Sequence, residues 1–120
     1  MKKILVVDDD RTVVELLIRV LSAEGHAVRF AFDGDSAMKW IEREIFDLII
    51  SDLMMPKRHG FQLIEQVRSK PEAAGTKILV LTAKTFPRDA DRAKTAGADL
   101  FLSKPFEIAQ LKEKISQLIF

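Results

Sequence analysis

The sequence predicts an α/β domain: a five-stranded parallel sheet with five helices on both of its faces. Three observations lead there. Five short runs rich in apolar residues, Ile4–Val7, Ala27–Ala31, Leu48–Ser51, Ile78–Leu81 and Leu100–Leu102, are bounded by polar residues or glycine and have strand length. The segments between them carry apolar residues at helical spacing. The connections are only a few residues long, so strand followed by helix, five times over, implies parallel strands joined by right-handed crossovers.

The first strand, Ile4–Val7, runs straight into Asp8, Asp9 and Asp10. Asp10 is placed to cap a helix whose inward stripe is Val13, Leu16, Leu17, Val20 and Leu21, and Gly25 stands just past its end. After the second strand and Asp33, a helix is expected from about Ser36 to Glu44, with Ala37, Ile41 and Ile45 inward and Trp40 as a packing residue. The third strand ends in Asp52, and its helix should run from about Phe61 to Arg68 with Phe61, Ile64 and Val67 facing the core. The fourth strand ends in Thr82. Pro87 then opens an alanine-rich helix that Gly97 terminates, and its stripe of Ala90, Ala93 and Ala96 buries so little area that this should be the least firmly held helix. The fifth strand leads to Lys104, and the last helix, Glu107–Phe120, carries Ile108, Leu111, Ile115, Leu118 and Ile119.

A chain of 120 residues fits a single domain spanning residues 1–120. With 48% hydrophobic and 31% charged residues it has the composition of a folded globular domain and not of a disordered one. Lys and Arg number 19 against 18 Asp and Glu, a balance too even for a nucleic-acid footprint, so no direct nucleic-acid binding is expected. The absence of cysteine excludes disulfides, thiolate nucleophiles and Cys-ligated metals, and suits a reducing compartment. Met1-Lys2-Lys3 has the charge of a signal-peptide start, but the apolar stretch behind it, Ile4–Val7, is too short, and no run approaches the ~18 residues that span a bilayer. A soluble, cytoplasmic protein without membrane association is expected.

Ligands of open parallel sheets sit beyond the carboxyl ends of the strands, where the strand order reverses. Those ends deliver Asp8 and Asp9, Asp52, Thr82 and Lys104 to one rim, with Asp33 at the end of the second strand. Crowded carboxylates repel, and a hard divalent cation with oxygen ligands, most plausibly Mg²⁺, relieves them while Lys104 adds positive charge. No His/Cys set exists for zinc. Cation, hydroxyl and ammonium together form a cradle for a phosphoryl group, with one aspartate as its covalent acceptor. Spacing alone does not choose which aspartate. His26 and His59 are expected to be exposed and without a role.

Four motifs in order, "VVDDD", "LIISDLMMP", "VLTA" at 80–83 and "FLSKPF" at 101–106, give the whole chain a resemblance to the receiver domain of two-component response regulators, the family of the stand-alone chemotaxis regulator. The resemblance implies a flavodoxin-like strand order, 2-1-3-4-5. It also implies that Asp52 accepts a phosphoryl group from a phosphohistidine on a sensor histidine kinase or phosphotransfer protein. Asp9, Asp52 and the backbone carbonyl of Met54 would ligate Mg²⁺, with Asp8 acting mainly through water. Lys104 would pair with Asp52 and then with the phosphoryl oxygens, and the Lys104–Pro105 bond would be cis. Thr82 would move toward the phosphoryl group and Phe101 turn inward, altering the surface of the fourth helix, fifth strand and fifth helix. A downstream effector protein would read that surface, or two copies would dimerise through the fourth and fifth helices. Such a protein is a regulator that catalyses part of its own phosphorylation and dephosphorylation, not an enzyme.

The sequence departs from the common receiver pattern at Lys57, Arg58 and His59, a basic cluster most simply read as a solvated loop. Met54 and Lys84, each two residues past a site residue, occupy positions that influence dephosphorylation in that family. A small Mg²⁺-dependent phosphatase or phosphotransferase with an aspartyl nucleophile is the competing reading, but this chain has no room for the cap such enzymes use to exclude water. A flavin or nucleotide binder would need a glycine-rich loop where the acidic triplet stands. The end of the chain at the fifth helix fits either a stand-alone regulator or a receiver from a longer protein.

Overall fold

The computed structural model describes residues 2–52, 60–83 and 94–119, apart from the side chains of Phe61, Thr82 and Ala83. The elements follow in the order β1 (Lys3–Val7), α1 (Arg11–Ala23), β2 (Ala27–Ala31), α2 (Gly34–Arg43), β3 (Leu48–Asp52), α3 (Gly60–Arg68), a 3₁₀ turn (Pro71–Ala73) and β4 (Lys77–Ala83). Residues 94–96 are the described end of α4, and β5 (Leu100–Lys104) and α5 (Ile108–Ile119) complete the fold. All strand pairs are parallel, in the order β2-β1-β3-β4-β5. Each strand begins or ends within two residues of its expected bounds.

Side chains alternate across a strand, so one sheet supplies two cores. Leu5, Val7, Ile49, Ile78 and Val80 face α2 and α3, where they meet Ala37, Met38, Ile41, Leu63, Ile64 and Val67. Ile4, Val6, Leu48, Ile50, Leu79 and Leu81 face α1 and α5, where they meet Val14, Leu17, Leu21, Leu111 and Ile115. Burial on both faces explains why the central strands are unbroken apolar runs. Each large side chain buried there contributes about 1.5–3 kcal/mol.

The caps direct the chain toward the rim. Asp10 accepts the Thr12 N–H at 2.9 Å and starts α1. Gly25, at φ 88°, lets the chain turn back after α1 into β2, with its N–H on the Ser22 carbonyl at 3.0 Å. Asp33 accepts the Ser36 N–H at 2.8 Å, so its carboxylate caps α2. Gly97, at φ 121°, follows the described end of α4, as its place in the sequence predicts.

Several expectations are corrected. Val14 joins Leu17 and Leu21 as the deepest residues of α1, while Val13, Leu16 and Val20 are half-buried flanks. The second helix ends at Arg43; Glu44 is already extended, at φ −140°, and this leaves Ile45 60% exposed while Phe46 takes the buried place. Ile108, the first residue of α5, is also exposed. His26 is buried, not exposed: the turn after α1 lays it across the start of β1, where its Nδ1 accepts the Lys2 N–H at 3.2 Å. The turn at Pro71–Ala73 was not expected; Pro71 opens it in the position where proline costs no hydrogen bond. His59, and most of the expected fourth helix with Ala90 and Ala93, lie outside the described residues.

Candidate functional site

The strand order reverses between β1 and β3, neighbours at the centre of the sheet. Val7 stands opposite Ser51, so the residues that follow them, Asp8 and Asp52, emerge side by side at the carboxyl rim. Asp8 lies deepest, fully buried, with its own N–H on the Ala31 carbonyl at 3.2 Å. Its two oxygens are both engaged: Oδ1 accepts the Asp10 N–H at 2.9 Å and Oδ2 accepts Lys104 Nζ at 2.7 Å. The last residue of β5 thereby crosses to the centre of the sheet. Lys104 Nζ also donates to Asp52 Oδ2, at 3.3 Å.

One oxygen from each of Asp8, Asp9 and Asp52 lies within 4.8 Å of the others. Burial pushes the Asp8 carboxyl up to about 6; hydrogen bonds from Lys104 and the Asp10 N–H oppose the rise, and the nearby Asp52 charge adds to it. Burial alone would lower the Lys104 ammonium, but the Asp8 hydrogen bond and the charges of Asp52 and Asp8 outweigh it and hold the ammonium above its ordinary value. Among the described residues, three carboxylates around one ammonium leave a negative excess in a partly enclosed place. An oxygen-only donor set with this excess fits a hard divalent cation such as Mg²⁺.

The structure thus brings together Asp8, Asp9, Asp52 and Lys104. Asp10 and Asp33 serve as helix caps and do not join them. Thr82 stands in β4 opposite Ser103, one step before the Ala83–Lys104 pair, and its side chain is outside the described residues. Met54, the basic residues Lys57, Arg58 and His59, and Lys84 also lie outside them. Phe101 is half-buried against the core between the sheet and α2/α3. The Lys104–Pro105 peptide is cis. A groove of about 460 Å³ runs past Phe101, Ser103 and Pro105 to Gln110 and Lys114 of α5.

Two features escaped the sequence reading. Lys104 lies closer to Asp8 than to Asp52, because the wholly buried carboxylate has most need of a cation. The backbone N–H of Asp10 holds Asp8 while its side chain caps α1; three aspartates in a row, a residue type that bonds backbone two positions on, were the available signal.

The response regulator receiver domain family matches residues 4–116. The response regulator MprA of Mycobacterium leprae is 39% identical over 117 residues, which cover 98% of this chain and 50% of that protein. The chain spans about half the length of the curated relatives it matches. Among solved structures, the chemotaxis response regulator CheY4 of Vibrio cholerae superposes with a TM-score of 0.93 at 34% identity, over 98% of each chain. The receiver domain of the sensor histidine kinase PA1611 of Pseudomonas aeruginosa, which has a magnesium ion coordinated in its active-site cleft, gives 0.89 at 27% identity over 98% of this chain and 97% of that one. Among the described residues no helix is long and apolar enough to cross a membrane.

Proposed function

The chain belongs to the response regulator receiver family, and from that premise we propose that residues 1–120 form one phosphorylation switch whose acceptor is Asp52. The observation that carries this is the placement of Asp52 Oδ2 3.3 Å from Lys104 Nζ, within a cluster of three carboxylates. An Asp52 oxygen attacks the phosphorus of a phosphohistidine on a sensor histidine kinase or phosphotransfer protein. The P–N bond breaks, its electron pair returns to the imidazole, and an acyl phosphate remains on Asp52. Asp9, Asp52 and the backbone carbonyl of Met54 would hold Mg²⁺, with Asp8 acting mainly through water, and the cation would supply neutralising charge for the transferring oxygens.

Lys104 stays protonated, as its raised pKa favours, and moves its hydrogen bond from carboxylate to phosphoryl oxygen. Thr82 supplies a hydroxyl to a second oxygen, and Phe101 changes its packing. The groove beside Phe101 and α5 supports a readout there by an effector protein, or by a second copy through α4 and α5. The absence of cysteine suits a reducing cytoplasm, and the even charge balance supports action through proteins without nucleic-acid contact by this unit. Lys84, two residues past Thr82, bears on the lifetime of the acyl phosphate, while the basic cluster at Lys57, Arg58 and His59 is a solvated loop.

Incubation with Mg²⁺ and acetyl phosphate, followed by intact mass spectrometry, tests the acceptor. The expected result is one phosphoryl gain, lost in Asp52→Asn and in chelator. A gain that survives Asp52→Asn refutes the assignment.

A further inference from the structure

Among the described residues, β2 is an edge strand that pairs with β1 alone. Its odd-numbered residues face that partner: the Ala27 N–H donates to the Lys2 carbonyl at 2.9 Å and the Ala31 carbonyl accepts from the Asp8 N–H at 3.2 Å. Successive peptide groups of a strand turn to opposite edges, so the Phe30 carbonyl faces the open side. An open edge is a template for another chain's backbone, and an exposed apolar side chain on it makes pairing more favourable. Phe30 is such a side chain, 45% exposed, with its ring 5.4 Å from that of Phe32.

Something already occupies the edge. Trp40, from α2, donates its indole N–H to the Phe30 carbonyl at 3.0 Å. The indole is held in place from several sides. It packs on the core between the sheet and α2/α3, and the guanidinium groups of Arg29 and Arg43 each stand 5.6 Å from its ring centroid. Arg29 is in turn fixed by Glu44 at 3.3 Å, and Glu44 by Lys3 at 2.9 Å. Packing alone does not require the N–H to find a strand carbonyl; a phenylalanine would fill similar space.

We propose that Trp40 is an edge guard, which keeps β2 from pairing with β2 of a second copy of this chain by occupying the carbonyl an incoming N–H would use. A second copy is the fitting occupant, because a two-fold axis beside Phe30 places the same edge, in antiparallel sense, against itself and sets Phe30 against Phe30. Glu44 offsets only part of the charge of Lys3, Arg29 and Arg43, so the remaining positive charge on the flank opposes the same approach and adds to the guard. The surface lies on the open edge of β2, away from the groove along α5, and the guard acts whether or not Asp52 is phosphorylated.

The test compares unphosphorylated wild type, Trp40→Phe and Trp40→Phe/Phe30→Lys by sedimentation over a range of concentrations, with circular dichroism melts to establish that each is folded. Trp40→Phe keeps an aromatic ring while removing the donor and the pyrrole part of the indole, so it disturbs the packing less than Trp40→Ala. Expected is self-association about ten-fold stronger in Trp40→Phe than in wild type, abolished by Phe30→Lys, which puts a charge on the edge. Folded Trp40→Phe that associates no more than wild type overturns the proposal, as does association that persists with Phe30→Lys.

Discussion

At the carboxyl ends of the strands, oxygens of Asp8, Asp9 and Asp52 lie within 4.8 Å of one another, and Lys104 donates to Asp8 and Asp52. At the amino ends, one guanidinium meets a full set of acceptors. Arg68, the last residue of α3, donates through Nε to the Gly97 carbonyl at 2.9 Å, through Nη1 to the Thr76 carbonyl at 2.7 Å and through Nη2 to Asp99 Oδ2 at 2.8 Å. Asp99 Oδ2 also accepts the Ile78 N–H at 2.8 Å, and the Thr76 hydroxyl donates to the Phe46 carbonyl at 2.6 Å. A single cation thereby ties the ends of α3 and α4 to the starts of β4 and β5. The amino rim is charge-matched within itself, whereas among the described residues the carboxyl rim keeps an excess of carboxylate. Folded proteins concentrate such local conflict where function needs it.

The largest effect should come from the matched end. Arg68→Ala strands two carbonyls and a carboxylate that are partly buried, and urea denaturation should show a loss of about 2–4 kcal/mol. Arg68→Lys should recover little of it, since an ammonium cannot reproduce three directed bonds of a planar fork. A loss below about 0.5 kcal/mol, the level of an ordinary surface substitution, would remove the contrast between the two ends.

At the unmatched end the sign should reverse. The folded pKa of Asp8, about 6, lies above its ordinary value of 3.8, so the native state holds the proton more tightly than the unfolded chain. The corresponding stability is fully present below about pH 4 and is lost as pH rises through about 6; two pKa units set a ceiling of about 3 kcal/mol. Asn at this position imitates the protonated form. Without divalent cation, Asp8→Asn should therefore be more stable than wild type by about 1–2 kcal/mol at pH 7.5, with the difference closing toward pH 4. Equal stability at both pH values would mean that Lys104 already compensates Asp8 in full.

The two ends also differ in what the sequence could reveal. Apolar runs between polar boundaries place all five strands, and the residues directly after them place Asp8, Asp9, Asp52 and Lys104 at one rim. Local chemistry is enough there, because a parallel sheet carries every strand end to the same side. The Asp8–Lys104 contact joins residues 96 positions apart, and Arg68 gathers partners 8, 29 and 31 positions away, so only the folded chain defines them. His26 and Ile45 fail for a related reason. Each sits in a connection between a helix and a strand, where periodicity stops and the path of the backbone decides burial. Trp40 was legible as packing but not as a donor, since its acceptor lies on another element.

The smallest effect tests whether Lys104 and a cation share one field. Lys104 Nζ lies 2.7 Å from Asp8 and 3.3 Å from Asp52, two members of the carboxylate cluster. A divalent ion approaching those oxygens meets the ammonium as a like charge, a repulsion of about 1 kcal/mol at a separation of roughly 8 Å in a water-exposed site. Lys104→Met keeps the length of the side chain and removes the charge. Calorimetric titration should then show Mg²⁺ binding roughly five-fold tighter than in wild type, the equivalent of about 1 kcal/mol. Arg68→Met, at the far rim, should leave the affinity unchanged because screening at ~0.15 M salt extinguishes exposed interactions beyond about 8 Å. A five-fold gain in the first variant with none in the second locates the competition at the carboxyl rim. Unchanged affinity in Lys104→Met would instead mean that the ammonium leaves the cluster freely when the cation arrives, and that its hold on Asp8 belongs to the metal-free state alone.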